Sequence, residues 1–135
     1  MSQNNKHVLI TGTVAFDDIE TPNGSSGKII GGAGTYIALA ASVFSKRISL
    51  ISVIGEDFLE EDIKMLQSKN INTEMIERIS GEKSFYWKGR YHTNFKTRDT
   101  LITELNALEK FNPIVNDYSR NAEIVVLGNL HPSVQ

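Results

Sequence analysis

The 135-residue sequence predicts an α/β fold with a mostly parallel sheet. Continuous apolar runs at residues 8–10, 48–54 and 123–128 are typical of strands that are covered on both faces. Helical patterns at residues 31–44 and 57–69 follow the first and second of these runs, so strand and helix alternate along the chain. Alternation of this kind indicates βαβ units, whose neighbouring strands run parallel.

The composition is that of an ordinary globular domain, with 40% hydrophobic and 22% charged residues. The formal net charge of -2 and the scattered cations argue against nucleic-acid and membrane partners. The chain has no cysteine, which excludes disulfides, thiolate nucleophiles and cysteine-bound zinc. Residues 1–6 are mostly polar, and the apolar run at 8–10 is too short for a signal peptide. We therefore expect a cytoplasmic protein.

Turn signals dominate the segment between the first strand and the first helix. Residues 17–27 contain Pro22 and an Asn-Gly pair, which predict turns, and residues 28–30 predict a short strand. Further along, Asp57 is expected to cap the second helix, because acidic residues follow it in the first turn.

After the second helix the pattern changes to a period of two. Phe85, Trp87 and Tyr91 alternate with mixed positions, and residues 100–103 form a returning strand, so a hairpin with one aromatic face is predicted. That face either covers a ligand or packs on the main sheet, and alternation alone leaves both possibilities open.

Three glycines, Gly31, Gly32 and Gly34, lie at the start of the first helix and are the most informative element. Glycine permits a positive φ and a close approach of ligands, and the N–H groups at a helix start suit anionic or hydroxyl-rich ligands. The same glycines could instead form a simple packing turn. The dinucleotide fingerprint fails because Ile37 stands where its third glycine belongs, and the sequence has no phosphate-binding Gly-Lys loop.

Taken in order, these motifs resemble the N-terminal portion of the ribokinase-like (PfkB-type) carbohydrate and nucleoside kinases. The resemblance rests on Gly-Thr-Val-Ala-Phe-Asp at 12–17, the glycines at 31–34 with their alanine-rich helix, Ile-Ser-Val-Ile-Gly-Glu-Asp-Phe at 51–58, and Asn-Ile at 70–71. The combination of these motifs indicates the family more specifically than any single motif does.

The resemblance implies a three-layer α/β sandwich with a mostly parallel sheet, helices on both faces and a small β-lid, in truncated form. Residues 1–135 would be the N-terminal part of one domain, with lid segments within 17–31 and 84–104. In this family the lid often pairs with a partner subunit, so a homodimer through the lid strands is a further possibility.

The resemblance also implies substrate contacts. Asp17 matches the aspartate that accepts hydrogen bonds from sugar hydroxyls, although Asp17 and Asp18 are equally suited to a turn. Gly31 and Gly32 match the di-glycine hinge beside the substrate, and Gly34 matches the turn into the helix.

Three further residues that could contact substrate stand outside the family pattern. Tyr36 occupies a position where many members have Asn, and its ring could stack on a base or lie in the core. Asn129 and His131 follow the last strand at its carboxyl end, where open α/β sheets bind ligands. The predicted substrate-binding residues are Asp17, Gly31, Gly32, Gly34, Tyr36 and Asn129.

The family uses two segments for phosphoryl transfer, Asn-x-x-Glu and Asp-Thr-x-Gly-Ala-Gly-Asp, and the second of them does not occur in this sequence. No catalytic residue and no metal ligand is therefore predicted. We expect the substrate-binding part of an ATP-dependent sugar or nucleoside kinase, inactive by itself, with ATP and magnesium bound only by the full-length protein. A non-catalytic sugar- or nucleoside-binding module and an unrelated α/β domain remain as alternatives.

Overall fold

The computed structural model describes residues 5–135, which form two sheets, two α-helices and two short 3₁₀ segments. The polar start of the chain, used above to argue against a signal peptide, lies mostly outside the described residues. The elements in chain order are β1 Val8–Thr11, β2 Ala15–Thr21, β3 Gly24–Gly31, α1 Ala33–Ala41, β4 Ile48–Gly55, α2 Glu60–Ser68, β5 Ile71–Asn72, β6 Ile76–Ile79, β7 Phe85–Tyr91, β8 Arg98–Glu104 and β9 Ile124–Leu127, with 3₁₀ segments at Asn106–Lys110 and Ser119–Asn121.

The first sheet, called the main sheet below, has the strand order β5-β4-β1-β9, with β6 also paired to β4. Every pair in it is parallel; Val8 of β1, for example, is in register with Ile48 of β4 and Ile124 of β9. All eight residues of β4 are buried, as expected for a central strand that is covered on both faces. The predicted parallel α/β fold is therefore confirmed.

Side-chain alternation along β1 and β4 separates two hydrophobic clusters. Ile10 and Leu50 face one side, where they pack with residues of α1 and α2. Leu9 and Ile51 face the other side, which is covered by the 3₁₀ segment Asn106–Lys110 and the chain that follows it. Among residues 5–135, then, both α-helices lie on one face, and short 3₁₀ structure covers the second.

The second sheet has the order β3-β2-β7-β8. Its β2–β3 and β7–β8 pairs are antiparallel hairpins, and the central β2–β7 pair is parallel. The hairpin predicted from the aromatic alternation is present as β7 and β8. The turn signalled by Pro22 and Asn23 is present between β2 and β3. The strands extend further into residues 17–27 than the sequence predicted, because β2 is paired on both of its edges.

The start of the second helix also differs from the prediction. Helix α2 begins at Glu60, and Asp57 does not cap it. The Asp57 carboxylate instead accepts the Ser84 N–H at 2.7 Å and lies 3.3 Å from Lys28 Nζ, so a tertiary contact takes the place of the helix cap. Likewise, α1 ends at Ala41 instead of Phe44.

An aromatic pair joins the second sheet to the segment between β4 and α2. The ring of Phe16 in β2 lies 5.1 Å from that of Phe58, which is buried beneath α2, and Lys28 Nζ lies 4.4 Å above the Phe16 ring. Nowhere in residues 5–135 is there a helix with the length and apolar character needed to cross a membrane.

Candidate functional site

A cleft of about 480 Å³ lies between the second sheet and the edge of the main sheet where β1 and β9 end. This volume falls within the usual range for small-molecule sites. We call it the Asp17 cleft; its lining includes Asp17, Gly32, Tyr36, Trp87, Arg98 and Asn129. Four of the six predicted substrate-binding residues therefore face one space, whereas Gly31 and Gly34 do not line it.

Asp17 lies half-buried on β2, against the glycine pair. A side chain at Gly31 would overlap the Asp17 carboxylate, so position 31 must be glycine for the carboxylate to keep this place. Burial raises the pKa of Asp17, and a hydrogen bond donated by the Gly32 N–H partly opposes that increase. No cation lies within ion-pair distance of Asp17 among the described residues, so its oxygens can accept hydrogen bonds from a ligand.

The other two glycines serve the packing of the helix start. Gly32 has a φ of 93°, and a side chain there would collide with the Thr13 carbonyl. The Gly34 N–H donates to that same carbonyl at 2.9 Å, and a Cβ on Gly34 would lie 2.7 Å from the backbone of Gly12. Gly34 thus permits close contact between α1 and the end of β1, which is the packing role considered for these glycines.

Thr13, which the sequence analysis did not select, joins three elements beneath the cleft. Its N–H donates to Asn129 Oδ1 at 3.0 Å, and its hydroxyl accepts the Asn129 Nδ2–H at 3.0 Å. The same hydroxyl accepts the Ala33 N–H at 3.1 Å. Asn129 therefore lines the cleft while its amide fixes the end of β1 to the end of β9. A threonine inside an apolar motif gives no sequence signal for this role.

Aromatic side chains form one wall of the cleft. Phe85, Trp87 and Tyr91 all line it from β7, so the aromatic face of the hairpin covers the cleft instead of packing on the main sheet. Tyr36 lies at the start of α1 and is 57% exposed, which excludes a core position. Gly89 leaves room for the Trp87 ring, because a side chain at Gly89 would overlap that ring.

The three histidines of the chain do not line the Asp17 cleft. His131 lies outside the cleft and is exposed, with its Nδ1 2.7 Å from the Ser133 hydroxyl. His7 is buried at the start of β1, where its Nε2 lies 2.8 Å from Ser49 Oγ. In the part of the chain that the structure describes, no three His, Asp or Glu side chains are grouped so that they could hold a metal ion.

Solved structures share this architecture. A ribokinase from Cryptococcus neoformans var. grubii serotype A, in complex with ADP, aligns with a TM-score of 0.67 at 17% identity, over 91% of this chain and 40% of that one. A nucleoside kinase from Burkholderia thailandensis, in complex with inosine, aligns with a TM-score of 0.67 at 15% identity, over 77% and 38%. The protein Sa239 aligns with a TM-score of 0.74 at 18% identity, over 91% and 46%.

These similarities show that the chain has the ribokinase-like fold, as the sequence resemblance predicted. The chain spans less than half the length of each of these three structures. No protein-family model matches the sequence, and no curated protein matches it.

Proposed function

We propose that the chain is the substrate-binding part of a ribokinase-like kinase that phosphorylates a hydroxyl group of a sugar or nucleoside. One observation carries the proposal: the half-buried Asp17 carboxylate, fixed by Gly31 and Gly32, faces a cleft with an aromatic wall. A carboxylate accepts hydroxyl donors in charge-assisted hydrogen bonds, and aromatic rings pack on the flat faces of sugars or bases. Gly32, Tyr36 and Asn129 would complete the contacts.

In this proposal the second sheet is the lid, with its segments within 17–31 and 84–104 of a single domain that extends over residues 1–135. ATP and magnesium would bind to the rest of a longer protein, and this chain alone would be inactive. The exposed edge of β8 supports a homodimer through the lid strands. The protein would be cytoplasmic, without nucleic-acid or membrane partners.

A second candidate is a non-catalytic sugar- or nucleoside-binding module. It needs only the ligand contacts of the Asp17 cleft, which the described residues supply without any group for phosphoryl transfer. The two candidates share the Asp17 cleft and differ only in catalysis. Incubation of the chain with ATP, magnesium and a panel of sugars and nucleosides is expected to release no substrate-dependent ADP. Release above background would show that the chain itself catalyses the transfer.

The binding proposal predicts a specific effect of Asp17→Asn in this chain. Loss of charge-assisted hydrogen bonds of about 1.5–3 kcal/mol should weaken ligand binding about 10- to 150-fold. Calorimetry with ribose, fructose, adenosine and inosine would measure the change. The matched control is Asp18→Asn, because Asp18 lies one residue along β2, where it contacts Lys88 and the Ser25 hydroxyl, and it does not line the cleft.

Thermal stability supplies an independent readout for the same variant. The pKa of Asp17 is raised in the folded chain because of burial, so its contribution to stability is full at acid pH and is lost as the pH rises through that pKa. Asp17→Asn should therefore not lower the melting temperature at neutral pH. If Asp18→Asn weakens binding and Asp17→Asn does not, the assignment of the hydroxyl acceptor is wrong.

A further inference from the structure

Arg98 differs from the other cations on the strands of the second sheet. Lys28, Lys88 and Arg90 each lie within 3.3 Å of a carboxylate. Arg98, at the start of β8, has no acidic side chain within ion-pair distance in residues 5–135, and it is the one of these four cations that lines the Asp17 cleft. The second sheet therefore neutralises its cations everywhere except in the cleft.

Two aromatic residues hold Arg98 in place. Its guanidinium carbon lies 5.4 Å from the centre of the Trp87 ring, and its Nη1 donates a hydrogen bond to the Tyr91 hydroxyl at 3.3 Å. Tyr91 is also its partner in the β7–β8 register. Stacking and one hydrogen bond orient the planar guanidinium and leave its other N–H groups free to donate. A guanidinium in this state binds a carboxylate or phosphate through two parallel hydrogen bonds.

The nearest acidic residues do not neutralise Arg98. Asp99 follows it in β8, but the Asp99 carboxylate lies 2.9 Å from His92 Nε2. Asp17 shares the cleft with Arg98, and the two side chains are farther apart than an ion pair. The cleft thus presents a carboxylate at one position and an unneutralised guanidinium at another. A ligand that satisfies both needs hydroxyl donors and a negative charge on the same molecule.

We propose that Arg98 is a specificity-determining residue, and that the Asp17 cleft takes a hydroxylated substrate with a carboxylate or phosphate group. This inference rests on the proposed function, because it concerns the same cleft. The Asp17 carboxylate accepts the hydroxyls, Arg98 binds the anionic group, and Trp87 lies beside that contact. Neutral sugars and nucleosides can donate hydroxyl hydrogen bonds to Asp17, but they have no anionic group for Arg98.

Titration of the chain with ribose, ribose 5-phosphate, ribonate and inorganic phosphate tests the inference. Trp87 is the sole tryptophan, so its fluorescence reports directly on the cleft, and calorimetry gives the same affinities independently. We expect ribose 5-phosphate or ribonate to bind at least about tenfold more tightly than ribose, as a charge-assisted contact implies. Whichever of these two binds more tightly identifies the anionic group as phosphate or carboxylate.

Variants separate this inference from the proposed function. Arg98→Gln should abolish the preference for the anionic ligand over ribose. Arg90→Gln is the matched control, because Arg90 lies in the same sheet, pairs with Glu20 and does not line the cleft. If Asp17→Asn weakens ligand binding and Arg98→Gln does not change the preference for the anionic ligand, the inference about Arg98 is wrong and the proposed role of Asp17 stands. The reverse pattern would overturn the proposed role of Asp17, and equal binding of inorganic phosphate and ribose 5-phosphate would show a nonspecific anion contact.

Discussion

The two sheets of this molecule differ in how far their strands are exposed to solvent. In the main sheet all eight residues of β4 are buried, whereas in the second sheet all seven residues of β8 are exposed. Strands β1 and β4 of the main sheet are continuous apolar runs between two covering layers, whereas β9 at its edge is largely exposed. The second sheet carries ion pairs such as Lys88–Glu20, at 2.9 Å, on a face that water reaches.

Because of this difference in burial, the two sheets contribute unequally to the stability of the fold. Burial of apolar side chains is the largest favourable contribution to folding, whereas a partly exposed ion pair contributes about 0–1 kcal/mol. The main sheet therefore stabilises the fold and fixes the ends of β1 and β9 beneath the cleft. The second sheet can open locally at a smaller cost in free energy, as the proposed lid role requires.

The largest expected effect tests the stabilising role of the main sheet. Leu50 in β4 is 0% exposed, and Leu50→Ala should lower the free energy of unfolding by about 2–5 kcal/mol through lost burial and a cavity. Ile102→Ala in β8, where the side chain is 40% exposed, should change it by about 0.5 kcal/mol or less. Urea unfolding measures both, and similar losses would contradict the division between the two sheets.

The next prediction concerns self-association through β9 and β8, which lie at edges of the two sheets. Strand β9 ends the main sheet with Val125 and Leu127 more than half exposed, and β8 ends the second sheet. Unpaired edges of this kind recruit other strands, so we predict that the chain self-associates in size-exclusion chromatography with light scattering. Val125→Lys should reduce association through the main sheet, and Leu101→Lys should reduce association through the second. A monodisperse wild-type monomer would contradict both.

The smallest expected effect is a pH dependence that originates in the main sheet. The pKa of His7 is lowered by burial and by the Arg47 charge, while the Glu123 charge opposes the decrease. A lowered pKa means that the folded chain disfavours protonation. Its contribution to stability is full above the unfolded value of about 6.5 and is lost as the pH falls toward the folded pKa.

Thermal melts between about pH 5 and pH 8 would detect this loss, since the unfolded histidine titrates in that interval. His7→Gln should flatten the curve. A curve that keeps its full slope in His7→Gln would assign the pH dependence to other groups.

Much of the main sheet could be predicted because its signals are local. Strand β4 is a run of apolar and small residues, and β1 and β9 have the same character, so the pattern alone indicates parallel strands. The cover that the pattern also predicts is present for β1 and β4 and is wrong for β9, which is largely exposed. The glycines at the start of α1 were likewise visible, and the structure places Gly32 in the cleft. The aromatic alternation of β7 predicted a hairpin but did not predict that its aromatic face would line the Asp17 cleft.

The errors arose where a distant partner overrides a local preference. Asp57 has the sequence context of a helix cap, yet its carboxylate is taken by Ser84 and Lys28, from segments far along the chain. Strand β2 contains turn-forming residues, yet pairing on both edges makes it extended. Arg98 gave no sequence signal, because the lack of a counter-ion can be judged only when every neighbouring side chain is in place.

The sequence by itself determined the class of fold, the parallel main sheet and the family that the chain resembles. Periodicity and glycine placement depend on residues close together in the chain, so they can be inferred without coordinates. The tertiary structure decided that Gly31 positions Asp17, that Thr13 and Asn129 join three elements, and that Trp87 and Arg98 face the same cleft as Asp17. These facts depend on contacts between residues up to 116 positions apart, which only the folded chain brings within hydrogen-bonding distance.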